Sequence, residues 1–274
     1  MTTVFYHYYP SRSVFEGSLL YIMGARFELH LVVDKVSKGV KVWENVVAEL
    51  EKLDQIMNRF AGESEISRVN RLAATQPVPV SDELWSIIND CELYHRLTLG
   101  LFDITLRDFT KLQLDKEAKT VYFEDAEIRF DLGAFAKGYA IEKIRKIITK
   151  SGIQHFFINF GSSSVCGVGI QPEGEPWSVD IENPFVSGQQ LDTIVLKDQC
   201  LSVSGNSPDN QLHIIRPSNR KFVNNRRLMC VATSNAAVAE VLSTAFLLAT
   251  DKEKNTIAQK FTEFIVFKSS EYSA

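Results

Sequence analysis

The chain has 274 residues, 45% hydrophobic and 23% charged, with a formal net charge of −4 at pH 7. That balance suits a globular chain of one large domain or two intimate ones, and it argues against nucleic acid as a partner, since no Lys/Arg stripe accompanies it. No apolar run reaches the roughly 18–20 residues that span a bilayer, so no transmembrane segment is expected.

The opening stretch MTTVFYHYYPSRSVFEGSLLYIMG is aromatic and polar and lacks the layout of a signal peptide, which makes a cytoplasmic location the expectation. After this arm, ARFELHLVV alternates Phe27, Leu29 and Leu31 on one side, as a half-buried strand does. VKVWENVVAELEKLDQIMNRF places Trp43, Val46, Val47, Leu50, Leu53, Met57 and Phe60 at helical spacing. A second helix is predicted from SDELW, with Ser81 as N-cap and two acids in its first turn. TVYFEDAEIRFDL reads as a hairpin turning at Glu124 and Asp125. A helix from Ala136 to Lys150, stopped by Gly152, follows. Then come strand-like runs, HFFINF, WSVDIE, DTIVLK, LSVS, QLHII and LMCVAT, one long helix from Ser234 and a closing strand EFIVFK. Helices and strands are segregated rather than alternating, so the expected class is α+β, with antiparallel-rich sheets and packed helices. No repeat or linker divides the chain, and 1–274 reads as a single domain. Cys91, Cys166, Cys200 and Cys230 show no C-x-x-C spacing and no neighbouring His, and read as buried free thiols of a reducing compartment.

Three features carry chemistry. RFDLGAFAKGYAIEKI runs from a strand-like segment past Gly133, Lys137 and Gly138 into a helix. It is either a plain strand–turn–helix connection with a snorkelling lysine or a place where backbone approaches a phosphate at a helix N-terminus. Tyr139 follows Gly138, so it is not a Walker A loop. In AAVAEVLSTAFLLAT the only charge is Glu240, on a helix apolar nearly all round. Such a carboxylate must be protonated, paired (with an arginine, for instance) or bound to a metal. Thr244 lies one turn on, and two hard oxygens at i, i+4 suit Mg²⁺. His213, in QLHIIRP, stands as a polar residue in a strand. Around these, GLFDIT carries Asp103, while INFGSSS and SVSGNS offer glycine and hydroxyls at strand ends, the furniture of phosphoryl or nucleotidyl chemistry.

Taken in order, MGARFELHL, LDQIMNRFAGESEISRVN, PVPVSDEL, GLFDIT, FDLGAFAKGYAIEKI, INFGSSS, SVSGNS, HIIRP and AEVLSTAFLL resemble the motif blocks of the FAD:protein FMN transferase (ApbE) family, over a core of about 20–268. The resemblance implies an ApbE-like (T-fold-like) architecture and a Mg²⁺-dependent transfer of FMN from FAD to a Thr or Ser hydroxyl of an acceptor protein. It implies flavin contacts at Met23, Phe102, Asp103, Asp131, Lys137 and Ile215, a metal held by the Ala134 carbonyl, Glu240 and Thr244, and His213 as a base for the acceptor hydroxyl. The chain departs from the family pattern at Glu240, usually Asp, at Ala134, at the GSSS turn, at Asn206 and at Arg216. An FAD diphosphohydrolase giving FMN and AMP, or a non-catalytic FAD-binding protein, are the alternatives those departures leave open.

Overall fold

The computed structural model describes residues 3–208, 214–217, 219–223 and 226–267. Strands β1 (Val4–Tyr9), β2 (Val14–Ile22) and β3 (Ala25–Val32) open the chain, followed by helices α1 (Val36–Met57) and α2 (Glu65–Leu72). A small sheet of β4 (Val78–Pro79), β5 (Leu112–Asp115) and β6 (Thr120–Phe123) has α3 (Asp82–Leu97) between its first two strands. Helix α4 (Ala136–Lys150) leads into β7 (Phe156–Phe160) and β8 (Ser164–Val168), the hairpin β9 (Trp177–Glu182) and β10 (Gln190–Leu196), then β11 (Gln199–Gly205). A short pair, β12 (Ile215–Arg216) and β13 (Lys221–Phe222), precedes β14 (Leu228–Thr233), α5 (Ala236–Leu248), α6 (Asp251–Ala258) and β15 (Phe264–Phe267).

The protein is α+β, and the eight-stranded central sheet, ordered β1-β2-β3-β7-β8-β11-β14-β15, is antiparallel throughout. The period-2 alternation of its strands sorts side chains between two layers. Phe15, Leu19, Phe27, Leu29 and Leu31 face the helices, where Gly17 lets the Trp43 ring of α1 lie directly on the sheet. Val165, Leu201, Leu228, Cys230 and Ala232 face the other way and are covered by the β9–β10 hairpin through Trp177, Ile194 and Leu196. Met229 and Val231, on the helical side of β14, pack with Leu242 and Phe246 of α5.

The helical stripe of α1 buries Trp43, Val46, Leu50, Leu53 and Met57 as its periodicity predicts, but the helix ends at Met57 and leaves Phe60 79% exposed. Other expectations are corrected. The segment 128–132 does not return as a strand against β6, which pairs instead with β5 and β4. Its N–H groups have better partners elsewhere: Phe130 donates to the Asn70 side chain and Asp131 to the Ile104 carbonyl. The single long helix after Ser234 breaks at Ala249, and Thr250 begins α6 with a capping box to Glu253. The N-terminal arm is two strands of the main sheet, and α2 is an additional helix capped by Ser64. The strand expected at QLHII lies mostly outside the described residues.

The cysteine reading holds for two of the four. Cys91 and Cys230 are free, and burial pushes both thiols up, Cys230 to about 12. Cys166 and Cys200 are joined by a disulfide, because the β8–β11 register sets them directly opposite one another. The cysteines therefore no longer argue for a reducing compartment. No helix among the described residues is long and apolar enough to cross a membrane.

One ion network ties three helices together. Glu83 of α3 accepts from Lys143 of α4 at 2.5 Å, from Lys52 of α1 at 3.1 Å and from the Tyr139 hydroxyl. Partial burial works against its ionisation, but the hydrogen bonds from Lys143, Tyr139 and Lys52 outweigh that and hold the carboxyl down to about 2. A carboxyl depressed in the folded state stabilises fully above its ordinary value of 4.5, and that stabilisation is lost as pH falls toward 2. Glu83→Gln is expected to lower the melting midpoint at pH 7 by roughly 2–6 °C, the shift that about 1–2 kcal/mol gives in a chain of this size. It should also flatten the acid limb of melting midpoint against pH; circular-dichroism melts across that range measure both.

Candidate active site

Two hairpin tips meet at one end of the main sheet. Ile22 pairs with Ala25 across a two-residue loop in which Met23 and Gly24 have φ of +49° and +80°. Gly161 and Ser162, between β7 and β8, have φ of +64° and +56°. Consecutive left-handed residues match the twist of a tight hairpin, for which methionine is an uncommon choice. The β3–β7 register, Phe27 opposite Phe160, sets the tips side by side, and Gly161 N–H donates to the Arg26 carbonyl at 2.8 Å. A Cβ on Gly161 would lie 2.9 Å from the Ala25 Cβ and 3.9 Å from Cδ of Lys137, so the lysine stem passes beside this tip.

Lys137 stands in the first turn of α4. That helix starts without a side-chain cap of its own; Ala136 N–H finds the Leu132 carbonyl at 2.8 Å, and Gly138 N–H is left to be satisfied from another element. Glu240 of α5 does so: its Oε2 accepts from Gly138 N–H at 3.0 Å. Its Oε1 lies 3.0 Å from the Lys137 ammonium and also accepts from the Ser164 hydroxyl. With its side chain only 4% exposed, the carboxylate is paired, and its partner is a lysine rather than an arginine. In return α4 caps α5, since Glu142 accepts from Ala236 N–H at 2.7 Å, alongside the Asn235 cap on Val238 N–H. The helices cross so closely that a Cβ on Gly138 would sit 2.5 Å from the Ala236 carbonyl oxygen.

Thr244, one turn beyond Glu240, belongs to a row of hydroxyls. Its Oγ1 is 3.3 Å from Ser204 Oγ, which contacts Ser243 Oγ at 2.7 Å, and Ser243 reaches Ser202 at 3.0 Å. Glu240, Thr244 and the Ala134 carbonyl are all hard oxygen donors of the class Mg²⁺ takes. A carboxylate has about four acceptor positions. Three on Glu240 are used, so one remains, and in donor chemistry the residues present fit such an ion. Among the described residues no group of three His, Cys, Asp or Glu side chains converges.

Asp131 and Asp103 lie on adjoining loops, joined by Asp131 N–H donating to the Ile104 carbonyl at 2.7 Å. Asp131 pairs with Arg59 at 3.2 Å and accepts from Gly133 N–H. Asp103 is nearly buried; it accepts from Thr105 N–H and hydroxyl, and His95 Nδ1 is 3.7 Å away while facing the Phe102 carbonyl at 3.1 Å. The Phe102 ring is in the core against Tyr94 and Phe135, with its N–H and carbonyl already bonded. Ile215 is half-buried on β12, where the neighbouring Arg216 donates to the Leu248 carbonyl at the end of α5. His213 lies outside the described residues.

Lys137 and Glu240 are thus in direct contact, with Gly161 beside the lysine stem and Ser164 on the carboxylate. Sequence reasoning missed the supports Arg59 and Asn70, which fix the Asp131 segment, and Glu142, which fixes the helix crossing, and it marked the INFGSSS hydroxyls without tying Ser164 to Glu240. Asn70 and Arg59 fall inside or beside SEISRVN, the one signal that could have raised them. A groove of about 860 Å³ between α1 and α4, flanked by Lys38, Lys41, Lys52 and Lys150, lies away from all of these residues.

The ApbE family model matches residues 23–112 and 106–266. The chain is 22% identical over 247 residues to the FAD:protein FMN transferase of Vibrio cholerae serotype O1, covering 77% of this chain and 74% of that one. It is 22% identical over 287 residues to the FAD:protein FMN transferase of Chlamydia muridarum, with 89% and 87% covered. Its fold is similar to that of the flavin transferase ApbE from Vibrio cholerae, with a TM-score of 0.79 at 18% identity over 100% of this chain and 98% of that one.

The helix crossing gives a direct test. Gly138→Ala forces a Cβ into backbone, and is expected to cost about 1–3 kcal/mol and to part Glu240 from α4. Gly62→Ala, which meets nothing within 4 Å, should stay within about 0.5 kcal/mol of the unsubstituted chain. Urea midpoints of the two variants check the difference.

Proposed function

The chain belongs to the ApbE family, and from that premise we propose that it transfers FMN from FAD to a Thr or Ser hydroxyl of an acceptor protein in a Mg²⁺-dependent reaction. The observation that carries this reading is the Lys137–Glu240 pair at the start of α4, where Glu240 also supplies the cap on Gly138 N–H and the Gly161 tip lies beside the lysine stem. An ammonium beside a helix N-terminus is a natural seat for a diphosphate. In the proposed reaction the acceptor hydroxyl oxygen bonds to the FMN phosphorus, the bridging P–O bond breaks, and AMP leaves with the electron pair. The hydroxyl proton passes to a base, the role proposed for His213.

Met23, Asp103, Asp131 and Ile215 are the proposed walls for FAD; Phe102, set in the core, would support Asp103 from behind. Lys137 draws charge from the diphosphate, and the hydroxyl row orients Thr244. Glu240, Thr244 and the Ala134 carbonyl would hold Mg²⁺, which when bound supplies positive charge to the diphosphate oxygens.

The deciding experiment incubates the purified protein with FAD, Mg²⁺ and a Thr-containing acceptor protein. Fluorescent flavin bonded to the acceptor is the expected result. Free FMN and AMP without attachment would make the protein a diphosphohydrolase, and unchanged FAD a binding protein. Lys137→Ala should weaken FAD by roughly tenfold, about 1.4 kcal/mol, while riboflavin, which has no phosphate, changes by less than about twofold. Mg²⁺ added with FAD should raise the melting midpoint of the unsubstituted protein and not that of Glu240→Gln.

A further inference from the structure

Met23 is held in the left-handed region by a group from another element. The two-residue β2–β3 loop leaves the Met23 N–H without a strand partner, and Asp54 Oδ1, on the last turn of α1, accepts it at 3.0 Å. The same oxygen accepts from Asn58 Nδ2 at 3.0 Å. Asn58 caps the end of α1, and its Oδ1 accepts from Phe60 N–H at 3.0 Å, while its carbonyl accepts from the Ser64 hydroxyl at 2.6 Å. Between Asn58 and Phe60 lies Arg59, whose guanidinium pairs with Asp131. One carboxylate oxygen therefore fixes a strained hairpin tip and the start of the loop that reaches Asp131.

A non-glycine residue with positive φ persists only where its surroundings enforce it, and such residues gather at ligand clamps. Asparagine or glycine would take this position more easily. A methionine kept there by a carboxylate, half-buried against the edge of the core, is held in a single orientation at the tip. We infer that Asp54 is a positioning residue for FAD binding, acting through the Met23 N–H to aim the Met23 side chain at the flavin. The inference rests on the proposal that Met23 faces FAD.

The test is a double-mutant cycle on FAD affinity, read from quenching of flavin fluorescence. Asp54→Ala should raise the FAD Kd about tenfold, and kcat for acceptor flavinylation at saturating FAD should stay within about twofold. Asp54→Asn, which keeps an acceptor oxygen, should bind within about threefold of the unsubstituted protein. Met23→Gly removes both the side chain and the strain, so adding Asp54→Ala to it should change Kd by less than about twofold, the remainder being the Asn58 contact. If the tenfold effect persists in the Met23→Gly background, Asp54 acts elsewhere and the inference fails. It fails equally if Asp54→Ala lowers the melting midpoint and leaves Kd unchanged, the mark of a purely structural residue. Should Asp54→Ala not fold, Asp54→Asn and Asp54→Ser carry the same cycle, since the shorter serine cannot reach the Met23 N–H. If Met23→Gly alone binds FAD as the unsubstituted protein does, the flavin-facing reading of Met23 is what fails, and the inference with it.

Discussion

Helices α4 and α5 each complete the other's N-terminus, and the site is built on that exchange. α5 lends Glu240 to Gly138 N–H, and α4 lends Glu142 to Ala236 N–H. A helix start exposes donors that must be met, and a carboxylate meets them while favouring the positive end of the helix dipole. Hydrogen bonds to charged groups contribute about 1.5–3 kcal/mol each, and a buried charge left without its partner costs more than that. The exchange works only at close range, which is why Gly138 is glycine: its absent side chain is where the Ala236 carbonyl lies. Arg145 braces the arrangement by holding Glu142 at 2.8 Å and the Ser234 carbonyl at 2.7 Å.

From this crossing the sheet supplies the rest. The β8–β11 register puts Ser164 opposite Ser202, and both hydroxyls point to α5. Ser164 completes the shell of Glu240, and Ser202 anchors the row that ends at Thr244. The Lys137 charge is balanced by Glu240 at 3.0 Å, so the pair is locally neutral. An anionic diphosphate arriving there meets only the partial charge of the α4 N-terminus unless a further cation accompanies it. The proposed Mg²⁺ would answer that shortfall by adding positive charge beside a pair that is neutral on its own.

Helix positions were largely legible. The bounds of α4, Ala136 to Lys150, and the buried stripe of α1 follow from local periodicity and from Gly152, because 3.6-residue spacing is written along the chain itself. Pairing was not. Residues 128–132 look like a strand, but the Asn70 side chain takes their hydrogen bonds from sixty residues away. The Cys166–Cys200 bond depends on a cross-strand register that no local pattern states. β1 escaped notice because, as a mostly exposed edge strand, it has no alternation of burial to show. At the site, a lone carboxylate on an apolar helix announced itself at Glu240, whereas its partners Lys137, Gly138 and Ser164 are distant in sequence and became visible only in three dimensions.

The positions at which the resemblance implied departures from the family pattern lie in different surroundings. Arg216 places its guanidinium on the Leu248 carbonyl, where a cation suits the end of a helix. Asn206 uses its amide on the Val223 carbonyl at 2.7 Å and so holds the segment beside β13. Both side chains thus hydrogen-bond to backbone carbonyls of the surrounding scaffold. Glu240 differs in kind, because it stands among the proposed ligands themselves. The methylene it gains over aspartate lengthens its reach from α5, and in this chain that reach spans to Gly138 N–H, Lys137 and Ser164 together. The same side chain that would hold the metal also holds the two helices in register, so in this chain the geometry of the site and the packing of the fold are set by one residue.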